Sequence, residues 1–391
     1  IVDDATTLLA ALRARPAAQE SLPPERMAAL RSHLHHPEAL DMLLALLLEA
    51  RMLQPKPLKP APEAAAAFLE APDGQALAGL LRSWLGSRRW NDMAAVPHLR
   101  PGGSKWPNDP LLSRQAALAL LETIPPGEWW NLESFIAEVK AREPSFQRPG
   151  GDFESWYLQD AEGAFLRGFE HWDEVEGAFL RYLIQGPLHW LGAADIGRTT
   201  EQEPITAFRL ASPWQVLISP EAKIDLEPRR GQVTLRADGS LRVSYDAPRV
   251  LRYQLARISD WEPRDREGLC YRLTPASLHR ASDQGLREYH ILRILEEAGA
   301  GALPPSLKQA ISRWHSAGVE ARLERSLLLR VKETSALTML QSHPSTRRYL
   351  GEVLGPTTIA IQEKNWPRLR DAAARLGLLI DPPSNDSEGV P

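Results

Sequence analysis

The stretch GFEHWDEVEGAFLRYLIQGPLHWLG, residues 168–192, constrains this chain more than any other. Read as a helix, it places Val175, Ala178, Phe179, Tyr182 and Leu183 on one face, which Leu180 and Ile184 widen. Only Glu174, Arg181 and Gln185 remain as a polar strip. A helix with so wide an apolar arc is buried on most sides, so the chain must pack around it from several directions. Asp173 is expected to cap it, with Glu176 three residues on completing a capping box. Gly186-Pro187 is expected to stop it, and Trp172 and Trp190 to anchor it in the core.

The flanking segments set this helix in a pattern. LLSRQAALALLETI reads as a helix, PPGEWW as a turn into a short strand, and NLESFIAEVKARE as a helix capped by Asn131. HWLGAADIG and ITAFRLAS read as two strands. Helix, strand, two helices and a hairpin is the order of a winged helix, whose third helix reads a DNA groove with basic and polar side chains. Here that helix begins with three acids, Asp173, Glu174 and Glu176, which suit the helix dipole and repel phosphate. The same DEVE run glances at a helicase box, but the sequence holds no G-K-[ST] phosphate loop, so motor activity is not expected.

Residues 1–70 read as helices followed, within 54–72, by a proline- and alanine-rich linker leading into a short helix. Beyond residue 212, QVTLRADGSLRVSYD has period-2 apolar residues on both sides of Asp238-Gly239, a strong hairpin signal. Thr274-Pro275 opens a helix, two further helices end in glycine, ARLERSLLLRVK and TTIAIQ read as strands, and LLI as a last one. The expected fold is mixed α+β. A mainly helical N-terminal half, made of a helical domain and linker (1–70) and a winged-helix-like domain (71–212), precedes an α/β domain with a β-hairpin (213–381) and a disordered tail (382–391).

Charge divides the same way. The chain carries a formal net charge of −4, yet residues 1–212 hold 20 Lys/Arg against 28 Asp/Glu, and residues 213–380 hold 26 against 19. Two readings stay open: the basic half contacts nucleic acid, or the halves attract one another. The candidates for nucleic-acid contact are Arg229, Arg230, Arg236 and Arg242 on or beside the hairpin, and Arg347 and Arg348 further on. The competing reading of the hairpin arginines is a solvated edge whose charges prevent strand pairing.

Enzymatic chemistry finds no footing in the sequence. The histidines of HLHH (33–36) lack i,i+4 spacing and nearby cysteine, so no metal is expected. No G-x-S-x-G elbow occurs, and no cofactor pattern. The one cysteine, Cys270, precludes an internal disulfide and reads as core between Leu269 and Tyr271. Without a secretory signal, a cytoplasmic location is the expectation.

The second half carries a resemblance. LRADGSLRVSYDAPRVLRYQLARISDWE, YRLTPASLHRASDQGLREYHILRILEEAG, LPPSLKQAISRWHSAG, LERSLLLRVK and the closing GPTTIAIQ…RLRDAAARLGLLI resemble, in order, the XPB/Ssl2-like helicase-associated domain family over about residues 213–380. That family accompanies XPB-type DNA helicases, as an N-terminal module or in bacterial proteins without motor domains. The resemblance implies a non-catalytic accessory role in DNA repair or transcription-linked remodelling, with DNA, an XPB-type helicase or both as partner. It carries over no individual functional residue.

Overall fold

Helix α1 (Val2–Ala14) is buried almost all round, and even Asp4 and Thr6 lie inside. Both polar groups are satisfied: Asp4 accepts the backbone N–H groups of His35 (2.7 Å) and His36 (3.0 Å), and Thr6 donates to the Val2 carbonyl. This first layer continues with α2 (Pro24–Arg31) and α3 (Leu40–Glu49). The computed structural model describes residues 1–102, 108–200, 203–219, 221–299, 303–318 and 326–382.

In the expected linker at 54–72 the proline-rich part is a hairpin, and the short helix it leads into forms. Strands β1 (Leu53–Pro55) and β2 (Leu58–Pro60) pair as a hairpin, followed by α4 (Pro62–Glu70) and α5 (Asp73–Gly86). Leu53 and Leu58 are buried, which gives the hairpin an apolar anchor, and its prolines stand at the turn and strand ends. Pro62 opens α4, where no N–H is required.

Next come β3 (Arg100–Pro101), α6 (Pro110–Leu121), β4 (Trp130–Asn131), α7 (Leu132–Arg142) and β5 (Leu158–Gln159), with β5 paired to β3. Asp109 caps α6 and Asn131 caps α7, each accepting a first-turn N–H. The third helix is a continuous run: a π turn at Asp173–Gly177, α8 (Ala178–Leu183), and a second π turn at Ile184–Leu188. Strands β6 (Ala194–Gly197) and β7 (Ala207–Leu210) close an antiparallel sheet of order β4-β7-β6.

Two expectations for the third helix fail. No side chain caps its start: Asp173 pairs with Lys140 (2.6 Å), and Glu176 turns inward to Arg148. Nor does Gly186-Pro187 stop it, because the wider π turn accommodates a residue without an N–H. The run ends instead at Gly192 (φ +70°), where the N–H groups of Gly192 and Ala193 reach the carbonyls of His189 and Leu188.

After α9 (Trp214–Ile218), β8 (Val233–Leu235) and β9 (Ser240–Ser244) form the expected hairpin. They precede α10 (Arg249–Ile258), β10 (Asp260–Glu262), β11 (Gly268–Arg272), α11 (Pro275–Asp283), α12 (Glu288–Ala298) and α13 (Pro305–Ala317). The sheet order is β10-β11-β9-β8, antiparallel throughout. Leu241, Val243, Leu269 and Tyr271 are buried beneath it, and α10 packs along α1. Thr274 and Ser277 form a reciprocal capping box at α11.

These elements belong to one compact unit, Ile1–Gly318. The second unit, Val319–Pro391, contains β12 (Leu327–Arg330), α14 (Thr334–Ser342), α15 (Pro344–Arg347), β13 (Val353–Gly355), β14 (Thr358–Ile361) and α16 (Trp366–Ala374). Its antiparallel sheet has the order β12-β14-β13 over Leu337, Leu340 and Leu369. The expected strand at Leu378–Ile380 does not form; Gly377 (φ +81°) turns the chain and Leu379 is 87% exposed. Of the tail at 382–391, residues 383–391 lie outside the described residues. The expected boundaries at 70 and 212 fall inside the first unit, and the division at Gly318 falls inside 213–381. Among the described residues no helix is long and apolar enough to cross a membrane.

Candidate nucleic-acid interface

The six candidate arginines meet different fates. Arg229 is turned inward, with 15% of its side chain exposed, and it pairs with Asp3 (2.8 Å) and Asp73. Those aspartates also receive two residues that the sequence did not single out: Arg249 donates to Asp73 (2.8 Å), and Arg252 pairs with Asp3. Arg249 donates further to the Phe68 and Ala71 carbonyls at the end of α4, where unpaired carbonyls gather. Burial pushes the Asp3 carboxyl up, but Arg252 and Arg229 outweigh it and hold the group below its usual range. Basic second-half residues are thus consumed by acidic first-half ones, as the internal-attraction reading of the charge asymmetry requires.

The signal for Arg249 and Arg252 was present as their three-residue spacing on one side of α10. It is weak because a guanidinium facing a core and one facing water look alike in a sequence.

Arg242 sits on the outward face of the sheet, and its neighbours there are acids: Asp265 (2.6 Å) and Glu267. Beside it Arg272 pairs with Glu262 and Asp238. This face is a charge mosaic rather than a cationic platform. Cys270 also points to it, contrary to the core expectation, because strand alternation sends Leu269 and Tyr271 inward and Cys270 outward. Burial and the adjacent Asp265 raise its thiol pKa, the opposite of an activated nucleophile.

Arg230 and Arg236 are exposed and have no ion pair among the described residues, so they keep the character expected of phosphate contacts. Arg347 and Arg348 are likewise exposed, at the end of α15 in the second unit, with Arg348 stacked over Tyr349 (4.7 Å).

On the third helix, Phe179, Leu180, Leu183 and Ile184 are fully buried. The polar strip is occupied locally, since Arg181 makes a two-pronged pair with Glu133 (2.8 and 2.6 Å). Glu176 is buried with Arg148, and burial raises its carboxyl pKa against the pull of that guanidinium. Trp172 is a core anchor whose indole donates to Pro144, whereas Trp190 is only half-buried. The surface where a groove reader would show cations carries Asp173, Glu174 and aromatic rings.

The sheet β10-β11-β9-β8 with its helices is an α+β module lying in a chain that has no phosphate-binding loop. Residues 233–355 match the family model described as the helicase conserved C-terminal domain, so this part of the chain is similar to a helicase-related module. The match runs from β8 to β13, covers less than half of the chain, and crosses the division between the units. No curated protein matches the chain. The resemblance read from the sequence therefore stands at the level of a helicase-associated domain over 233–355.

Proposed function

We propose that this chain is a non-catalytic accessory protein of a DNA helicase, of XPB type, working in DNA repair or transcription-linked DNA remodelling. The observation that carries the reading is the helicase-domain match at 233–355 in a chain without a phosphate-binding loop. The ion pairs favour docking on protein over groove reading, because Arg229 and Arg242 are occupied by carboxylates and the third helix presents acids. Direct DNA contact, if made, falls to Arg230, Arg236, Arg347 and Arg348, as backbone neutralisation without base readout. A protein scaffold or transcription regulator that never touches DNA is the second reading, favoured by the acidic third helix.

Salt-titrated binding of the chain to duplex, forked and single-stranded DNA separates these readings. Binding whose logarithmic salt slope shallows in Arg230→Ala/Arg236→Ala supports DNA contact. No binding at low salt, with stimulation of an XPB-type helicase's ATPase, supports pure helicase docking. Neither binding nor stimulation removes the accessory reading and leaves the scaffold.

A further inference from the structure

The first unit has a groove of about 980 Å³ against the outward side of the third helix. Tyr182, Gly186 and Trp190, spaced four residues apart, form its floor. A Cβ on Gly186 would stand 3.3 Å from the Trp190 ring and 3.5 Å from Tyr182, so the glycine lets both rings lie against the helix. The rings meet edge to face with centroids 6.1 Å apart.

The opposite wall is the segment around Trp90, and a buried ion pair fixes it. Arg114 donates to Asp92 (2.6 and 2.8 Å) and to the Ser87 and Trp90 carbonyls. Asp92 in turn accepts the indole N–H of Trp84 (3.0 Å) and of Trp90 (2.9 Å). Both walls are therefore set before any ligand arrives, which lowers the ordering cost of binding.

The rim is acidic. Asp41 and Asp173 are paired with Arg31 and Lys140 (2.6 Å each), and the rim cations Arg89 and Arg181 are paired with Glu20 and Glu133. Glu38 is exposed, and among the described residues the Glu174 carboxylate has only His171 as an ion-pair partner, 3.7 Å away, with His98 meeting its backbone carbonyl (3.1 Å). Negative charge is left over beside three aromatic rings.

We infer that this groove binds a basic, partly apolar peptide segment of a partner protein. Its Arg or Lys stems stack on Trp90, Tyr182 and Trp190, where ring faces attract cations, while the charges reach Glu38 and Glu174. The same rim repels phosphate. The inference deepens the accessory reading by giving the chemistry of the protein partner; its experiment uses neither DNA recruitment nor a helicase, so either idea can fail alone.

The test is fluorescence anisotropy of the full chain with a labelled 15-residue peptide of Arg, Lys and Leu in amphipathic helical order. A control peptide has Glu at every basic position. The basic peptide is expected to bind and to weaken about tenfold between 50 and 300 mM salt, with the acidic one unbound. Glu38→Lys/Glu174→Lys should weaken binding at least tenfold; both side chains are at the surface, so the variant keeps its fold. Trp190→Leu should also weaken it, with circular dichroism confirming the folded state. No binding at 50 mM salt, equal binding of the two peptides, or affinity unchanged in the glutamate variant overturns the inference. So does self-association of the chain that the glutamate variant abolishes.

Discussion

Arg229 was a candidate for phosphate contact because arginines next to a hairpin are usually wet. Its guanidinium is instead shared between Asp3 and Asp73, two carboxylates that Arg249 and Arg252 also need. Arg229→Ala is expected to cost about 3 kcal/mol, the lower end for breaking a buried pair, as read by urea denaturation. Arg230→Ala, at an exposed neighbour, should stay within about 0.5 kcal/mol. Equal effects of the two would place Arg229 at the surface. Protonation acts on the same contacts. Burial holds His33 and His36 below the ordinary 6.5, His36 at about 4, and holds His35 down against the pull of Asp4. A base with a depressed folded pKa takes up protons more readily when unfolded. Its stability is therefore complete above about pH 6.5 and is lost as pH falls toward 4. Asp3 acts lower: its depressed carboxyl stabilises above its unfolded value of 3.8, and that contribution goes as pH falls further. Urea midpoints should thus decline from pH 7 to pH 4, and His36→Asn should flatten the decline; an unflattened one would assign it to other groups.

At the scale of elements, legibility followed the strength of local signals. The hairpin at Asp238-Gly239 was readable because alternation and turn chemistry agree. In detail it is a three-residue loop: Gly239 alone takes positive φ (+80°), and Arg236 and Ser240 face each other across the base. Gly239→Ala is expected to destabilise by about 1–2 kcal/mol from the left-handed conformation, with the Leu273 carbonyl 3.2 Å from the new Cβ adding to it. A thermal melt unchanged from the parent would show that the loop can re-form with ordinary φ. The third helix was readable in its buried face and misread at both ends. Asp173 and Glu176 were free to be caps by sequence, but Lys140 and Arg148 come from 28 or more residues away and take them. Pro187 stops an α-helix and not a π turn, and nothing in the local string announces the π turn. The prolines of 54–60 read as linker, while the burial of Leu53 and Leu58 depends on partners elsewhere in the fold. For the interface, burial sets Arg229 apart and pairing with Asp265 and Glu267 sets Arg242 apart from the exposed Arg230, Arg236, Arg347 and Arg348, and both burial and pairing depend on tertiary partners.

At the scale of the molecule, composition suggested breaks at 70 and 212, yet one apolar core runs from Val2 to Ile311 and α10 lies against α1. Short proline-rich turns interrupt the chain without interrupting this core, so the first unit should open as a single cooperative body. The second unit holds its own small core of Leu337, Leu340, Ile359, Ile361 and Leu369. So small a body buries a lesser share of its surface and is the weaker of the two. Hydrogen exchange read by mass spectrometry distinguishes the two cores. Leu340→Ala, at a fully buried site, should cost about 2–5 kcal/mol and raise exchange only within 326–382. Leu255→Ala, equally buried in α10, should raise exchange in α10, in β8 and β9, and also in α1, more than two hundred residues earlier in the chain. If α1 stayed protected while α10 lost protection, the helical layer would be a separate cooperative domain and the boundary read from composition would be real. If Leu340→Ala loosened α10 as well, the two cores would be thermodynamically one.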